Sequence, residues 1–321
     1  MRNNVLLKLI LLPILLFISF LAYADNTYSK VYIFGDSLSD TGNLASVIGG
    51  IPDPYYNNRI SNGPVAVETL AEKLGDTAQA SLHLLQLNVG HNYAVAGARA
   101  SGDDFGDLNN QILGFQVNHN YIAPADALYV IFLGGNDIRA ALQQSDSKIA
   151  KSILKEAKRR IRAAIKTLKQ MGARSFLVIN APNIALLPET KITAAAIGNP
   201  EYIIRAEQLS KRFNKKLHNI VKNLDDKDGI SIIEFNLYRL FNNIVVNASL
   251  LGFSNNTDAC FSTFAGAFHL DCNDGLNANQ FVFFDEIHPT ARVHGIFGEA
   301  FFKALSDKEH EEEEEQEEHH N

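Results

Sequence analysis

Apolar positions follow two rhythms along this chain. The runs Lys30-Val-Tyr-Ile-Phe34 and Ala127-Leu-Tyr-Val-Ile-Phe-Leu133 are almost wholly apolar and stop at Gly35 and at Gly134-Gly135. Continuous runs of this length predict strands buried on both faces that open into loops. Ser175-Phe-Leu-Val-Ile179 and Ile230-Ser-Ile-Ile-Glu-Phe235 have the same character. Between them, Ile149, Ile153, Leu154, Ala157, Ile161, Ile165 and Leu168 recur at helical spacing, with Lys and Arg on the other face, and predict a helix from Ser147 to Met171. Pro200 to Leu224 and Thr290 to Leu305 predict two more helices. Strands alternating with helices give an α/β fold: a parallel sheet, covered on both faces and built by right-handed crossovers. Such sheets carry their sites at the C-terminal ends of the strands, where the segments beginning at Gly35 and Gly134 fall.

The ends of the chain depart from these rhythms. Arg2 and Lys8 flank the start of an apolar run from Leu9 to Leu21 that closes in Ala22-Tyr23-Ala24. Residues 1–24 therefore read as a signal peptide cut before Asp25, which places the mature protein outside the cytoplasm, secreted or periplasmic. A membrane anchor would need about 18 to 20 apolar residues, and no later stretch supplies a transmembrane segment. Residues 25–308 read as one domain, since no internal repeat or Pro- or Ser-rich linker divides them. The last thirteen residues hold eight acids, so 309–321 is expected to be a disordered acidic tail. Without that tail and the leader, 29 − 2 = 27 basic residues face 36 − 8 = 28 acidic ones. No basic stripe remains to neutralise phosphates, which argues against nucleic acid as a partner.

Cys260 and Cys272 are the two cysteines. Export would put them where thiols oxidise, and a disulfide is expected; metal binding lacks any Cys-x-x-Cys or Cys/His pattern. Their loop lies within 250–280, a stretch dense in Asn, Gly and Phe that reads as an irregular insertion.

Candidate chemistry sits in four places. Ser37, in Gly35-Asp36-Ser37-Leu38, follows the first strand where the chain is expected to turn into a helix, so that helix amides would favour charge developing at Oγ. Taken alone, Ser37 or Ser39 would be an ordinary capping residue. A serine hydroxyl needs a base held by a carboxylate, and Asp285 and His288 lie three apart on one loop, with Pro289 suited to the first turn of the last helix. Gly97 offers an unobstructed backbone N–H and Asn136 a side-chain amide; with the Ser37 amide these form a candidate oxyanion hole. His91, His119, His218, His269 and His294 have no comparable partners nearby in sequence.

These blocks resemble the GDSL family, also called the SGNH hydrolases. Gly35 to Leu38 corresponds to its nucleophile block, Gly97 to its second-block glycine, Gly134 to Asp137 to its Gly-x-Asn-Asp block, and Asp285 to Pro289 to its Asp-x-x-His-Pro block. The resemblance implies a flavodoxin-like three-layer α/β/α sandwich, a triad of Ser37, His288 and Asp285, and an ester hydrolase that needs no metal or organic cofactor. Phe34 to Asn43 and Asn92-Tyr93-Ala94 are most similar to the bacterial secreted branch of lipases, lysophospholipases and glycerophospholipid acyltransferases. Ala96 departs from that branch, which often has a second glycine there. The α/β-hydrolase elbow Gly-x-Ser-x-Gly is absent, because Ser39 occupies its last position.

The resemblance thus implies lysophospholipase A or phospholipase A activity on lysophospholipid or phospholipid substrate, with acyl transfer to a lipid alcohol as an extension. A carbohydrate or short-chain esterase and a catalytically silent binding protein are the competing readings. Phe261, Phe264, Phe268 and Leu270 within the cysteine loop read either as an apolar flap at the site or as packing beneath a stapled loop. As a flap, the loop would also be a point at which a processing protease controls access.

Overall fold

The computed structural model describes residues 28–225 and 229–320, so the expected signal peptide at 1–24 lies outside the described residues. In chain order the elements are β1 (Val31–Gly35), α1 (Asn43–Ile48), α2 (Ala66–Lys73), α3 (Leu108–Asn118), β2 (Leu128–Phe132), α4 (Gly135–Leu142), α5 (Ser147–Met171), β3 (Ser175–Ile179), α6 (Pro188–Ala196), α7 (Glu201–Lys222) and β4 (Ser231–Phe235). There follow α8 (Leu237–Val246), the short strands β5 (Asn255–Ala259), β6 (Phe261–Ser262), β7 (Ala267–Phe268) and β8 (Phe281–Phe283), and α9 (Ala291–His320).

β1 to β4 form one parallel sheet in sequential order. The segment from His91 to Val95 flanks β1 on its outer edge: Ile33 N–H donates to His91 O, and the N–H groups of Tyr93 and Val95 donate to Ile33 O and Gly35 O. Counting that segment as the second strand in the chain gives the spatial order 2-1-3-4-5, the flavodoxin-like arrangement, whose switch point lies between β1 and β2. Side chains alternate across the sheet as its pleat requires. Tyr32, Phe34 and Tyr129 meet Phe115 of α3 on one face, whereas Phe132 and Phe235 meet Phe301 of α9 on the other. The result is a three-layer α/β/α sandwich.

Three expectations are corrected. The acidic tail at 309–321 is helical as far as His320, as the continuation of α9. Glutamate is a good helix former, and residues added to an existing helix escape the cost of nucleation. Residues 250–280 are more regular than an irregular insertion: β5 pairs with β8, and β6 with β7 forms a small hairpin inside the Cys260–Cys272 disulfide. Pro289 precedes α9 instead of opening it, because its carbonyl is held by Ser61 Oγ at 2.9 Å and it bridges to Phe283. Among the described residues no helix is long and apolar enough to cross a membrane.

Candidate active site

β1 ends at Gly35, where a side chain has no room: a Cβ would stand 2.9 Å from Ser39 Cβ and 3.2 Å from Phe132 O. Gln111 of α3 clamps this glycine, accepting from its N–H at 2.9 Å and donating to its carbonyl at 2.7 Å. The chain then turns sharply, with Asp36 O accepting from the N–H groups of Ser39 and Asp40. Ser37 sits on this turn and not at a helix start, since α1 begins only at Asn43. The amides that open α1 are taken by the Asp40 carboxylate, which accepts from Gly42, Asn43 and Leu44 and, across the loop, from Ala96. The helix dipole expected at Ser37 is therefore spent on Asp40, and that carboxylate ties the serine turn to the Gly97 turn.

The far end of the chain returns to this spot. β8 leads into Phe284, whose N–H donates to His288 O, closing a tight loop. Asp285 Oδ1 accepts from the N–H groups of Ile287 and His288 at 2.8 and 2.7 Å, and both carboxylate oxygens meet His288 Nδ1 at 2.9 and 2.8 Å. His288 Nε2 then lies 2.8 Å from Ser37 Oγ. Burial would raise the Asp285 carboxyl, but the nearby imidazole and the donated N–H groups outweigh it and hold Asp285 below the ordinary carboxylate range. An ionised Asp285 on Nδ1 leaves Nε2 free to accept the serine proton, which is the geometry of a nucleophile activated by an oriented base. Asp36, beside this group, is pushed up to about 6 by burial, against the opposing pull of the Leu38 amide and His288.

The oxyanion candidates are gathered by β2 and by the segment beside β1. Gly134, two residues past β2, caps α4 with φ 129°, and a Cβ there would lie 2.5 Å from the Phe213 ring, so this position requires glycine. It admits α4, whose Asp137 carboxylate accepts from the N–H groups of Ala100 and Ser101 and pins the following loop. Asn136 Nδ2 donates to Ala98 O at 3.0 Å, which places its amide against the Gly97 turn. Gly97 has φ 83° and open space where a Cβ would stand, and among the described residues neither its N–H nor that of Ser37 has an acceptor. The structure thus joins Ser37, His288 and Asp285 by direct bonds and sets Gly97 and Asn136 beside one another.

Four participants were missed from sequence. Tyr55 donates its hydroxyl to Asp285 Oδ2 at 2.7 Å. Arg139 donates from Nη1 to Asn136 Oδ1 at 3.0 Å, and its other nitrogens engage Glu189 at 2.7 and 2.5 Å. Glu286, buried next to Asp285, accepts from the N–H and Oγ1 of Thr263 in the disulfide loop. Arg139 had a signal, standing three residues after Asn136 on a helix; Tyr55, Glu189 and Glu286 had none.

The alternative readings of the disulfide loop divide between its residues. Phe261 and Phe268 pack on the buried cluster of Cys260, Cys272, Phe281 and Phe284, while Phe264 is 70% and Leu270 94% exposed.

Comparison with known proteins bears on the same residues. The family described as GDSL-like lipase/acylhydrolase matches residues 31–301. A GDSL esterase/lipase of Arabidopsis thaliana is 26% identical over 91% of this chain and 91% of its own length. Lipase 1 of Photorhabdus luminescens is 25% identical over 85% of this chain and 50% of its own length. Among solved structures, a lipase from a goat rumen metagenome is similar with a TM-score of 0.44 at 12% identity, covering 86% of this chain and 96% of that one.

Proposed function

The chain belongs to the GDSL-like lipase/acylhydrolase family and is a carboxylic ester hydrolase of the esterase/lipase type; from that membership we propose an exported lysophospholipase A or phospholipase A that also transfers acyl groups to a lipid alcohol. The observation that carries the reading of the site is the 2.8 Å approach of His288 Nε2 to Ser37 Oγ across 251 residues of chain. In this mechanism His288 takes the Ser37 proton as Oγ attacks the ester carbonyl, and Asp285 stabilises the imidazolium. The amides of Ser37 and Gly97 and the second N–H of Asn136 Nδ2 receive the oxyanion. His288 returns the proton to the leaving alcohol, giving an acyl-enzyme on Ser37. Water, or a second alcohol deprotonated by the same imidazole, then releases the acyl group.

Preference for lipid is supported by the apolar side chains exposed on and after the stapled loop, Phe264, Leu270 and Leu276. Export is supported by the leader-like residues 1–24 and by the Cys260–Cys272 disulfide, which belongs to oxidising compartments. The same loop, with Thr263 on Glu286 beside the triad, is the place where a processing protease would change access.

The test is fatty acid release from lysophosphatidylcholine, diacyl phosphatidylcholine and an acetylated sugar by the mature protein and its Ser37→Ala form, with and without a sterol. Release from the phospholipids by the parent alone, with sterol ester when sterol is added, is the expected result. Equal activity of Ser37→Ala removes the mechanism, and acetate release without fatty acid release removes the lipid assignment. Equal rates before and after limited proteolysis of the loop remove its control of access.

A further inference from the structure

An acyl-enzyme needs a place for its chain, and α3 borders one. α3 lies along β1 with its first turns at the site: Gln111 clamps Gly35, two residues before Ser37, while Phe115 packs on Tyr32 and Phe34 further back in the strand. Its 11 residues carry it about 16 Å away from the serine turn. The stripe Asn110, Leu113, Gly114, Val117 faces the turn His83–Leu85, and the groove between them measures about 830 Å³. Gly114 lets helix and turn touch, since a Cβ there would come within 2.8 Å of the His83 ring. Leu113 and Val117, one helical turn apart, are half exposed or more in that groove.

The groove adjoins the oxyanion candidates. Phe105, itself exposed, lines its site-proximal end and also lines a smaller cavity of about 230 Å³ walled by Val95, Gly97 and Ala98. One aromatic ring therefore borders both spaces, one at Gly97 and one along α3. Asn118, at the end of α3, donates to Leu87 O, and Leu87 and the following Tyr121 and Ile122 are exposed as well. Among the described residues the groove's one charged lining group is Asp103, paired with Arg160 Nη1 at 2.5 Å, and burial lowers the His83 imidazole to about 4, so a phosphate headgroup would find no unpaired cation there. A hydrocarbon chain suits the apolar part of the lining, Leu84, Phe105, Leu113 and Val117, which Gln86, Asn110 and Asn118 border.

We propose that this groove is the acyl-chain site of the enzyme: a linear chain esterified to Ser37 passes Gly97 and Phe105 and lies along Leu113 and Val117. This rests on the lipid-ester reading given above. Each methylene buried along it would raise affinity about fourfold.

The test is kcat/KM on p-nitrophenyl esters from C4 to C16 for the parent, Leu113→Trp and Val117→Trp. The parent should gain with chain length. Leu113→Trp should lose at least about tenfold on C12 to C16 and stay within about twofold on C4, and Val117→Trp should lose only on the longest chains, because each bulk cuts the groove at a different depth. Both side chains are exposed, and the C4 rate reports an intact fold and triad. A parent with no gain from C4 to C16 defeats the lipid reading and the groove with it; a gain that both variants retain defeats the groove alone. A hexadecyl fluorophosphonate with a terminal diazirine, captured on Ser37 and irradiated, should mark residues within 83–89 or 105–122. Marking confined to the disulfide loop overturns the proposal.

Discussion

Tyr55 donates its hydroxyl to Asp285 Oδ2 at 2.7 Å, while its ring packs edge-on against Phe261 and Phe284. The carboxylate that holds His288 is thus itself held from the side of the disulfide loop. Burial and the neighbouring Asp285 raise the phenol well above its ordinary range, so Tyr55 is a donor at any working pH. Tyr55 is a positioning residue, acting through Asp285.

Tyr55→Phe keeps the ring contacts and removes this one donor. Loss of a hydrogen bond to a charged acceptor should lower kcat by about tenfold, with KM changed less than about twofold. Asp285 should become more basic and draw the imidazole proton more strongly, so the acidic limb of the kcat/KM profile should move to higher pH. A uniform loss at all pH values, with no movement of the limb, would indicate a merely structural role.

Arg139 fixes which way the Asn136 amide faces. Its Nη1 occupies Oδ1, and Ala98 O occupies one hydrogen of Nδ2, so the other Nδ2 hydrogen is the one left for an oxyanion. Arg139→Met should cost about 10- to 100-fold in kcat, approaching the loss from Asn136→Ala. In the Asn136→Ala background the same change should cost less than about threefold, because the two groups act as one donor. Additive losses in this double-mutant cycle would separate Arg139 from the oxyanion.

Much of the sheet was legible because β1, β2 and β3 are almost wholly apolar runs, the first two leading into glycine. Ser175–Ile179 and Ser147–Met171 have the bounds that periodicity gives. β8, with three residues, is too short for a period, and the strand-like segment at His91 to Val95 is held by bonds to β1 that local sequence does not encode. Ser37, Gly97, Asn136, Asp285 and His288 were legible as types in a spaced pattern. The residues that orient them were not, because Tyr55 reaches Asp285 across 230 positions and Glu189 meets Arg139 across 50. The pattern names the groups that react; packing chooses those that hold them.

The Cys260–Cys272 disulfide closes a loop whose ends are 12 positions apart. Replacing both cysteines by serine should lower stability by about 2 to 3 kcal/mol in urea unfolding at pH 7.5. Cys260 and Cys272 are buried beside Phe281 and Phe284, and Phe261 of the loop touches Tyr55, so kcat should fall as well. A variant as stable and as active as the parent would show the staple to be dispensable to both.

His294 supplies the fourth prediction. It is fully buried in α9, its Nδ1 accepts from the Ala66 N–H at 3.2 Å, and burial, reinforced by the His288 charge, lowers it to about 3. The unfolded chain takes up a proton at this residue below about pH 6.5, and the folded chain refuses it until about pH 3. Its stabilising contribution is therefore complete above 6.5 and is lost as the pH falls. Between pH 7.5 and 5.0 the loss should be on the order of 2 kcal/mol. His294→Gln keeps an acceptor for Ala66 and cannot be protonated, so the parent should lose that much more stability than the variant over the same interval. Asp36, whose raised carboxyl gives the opposite slope, is common to both proteins and cancels in the difference. Equal losses in parent and variant would mean that His294 is not held neutral by the fold.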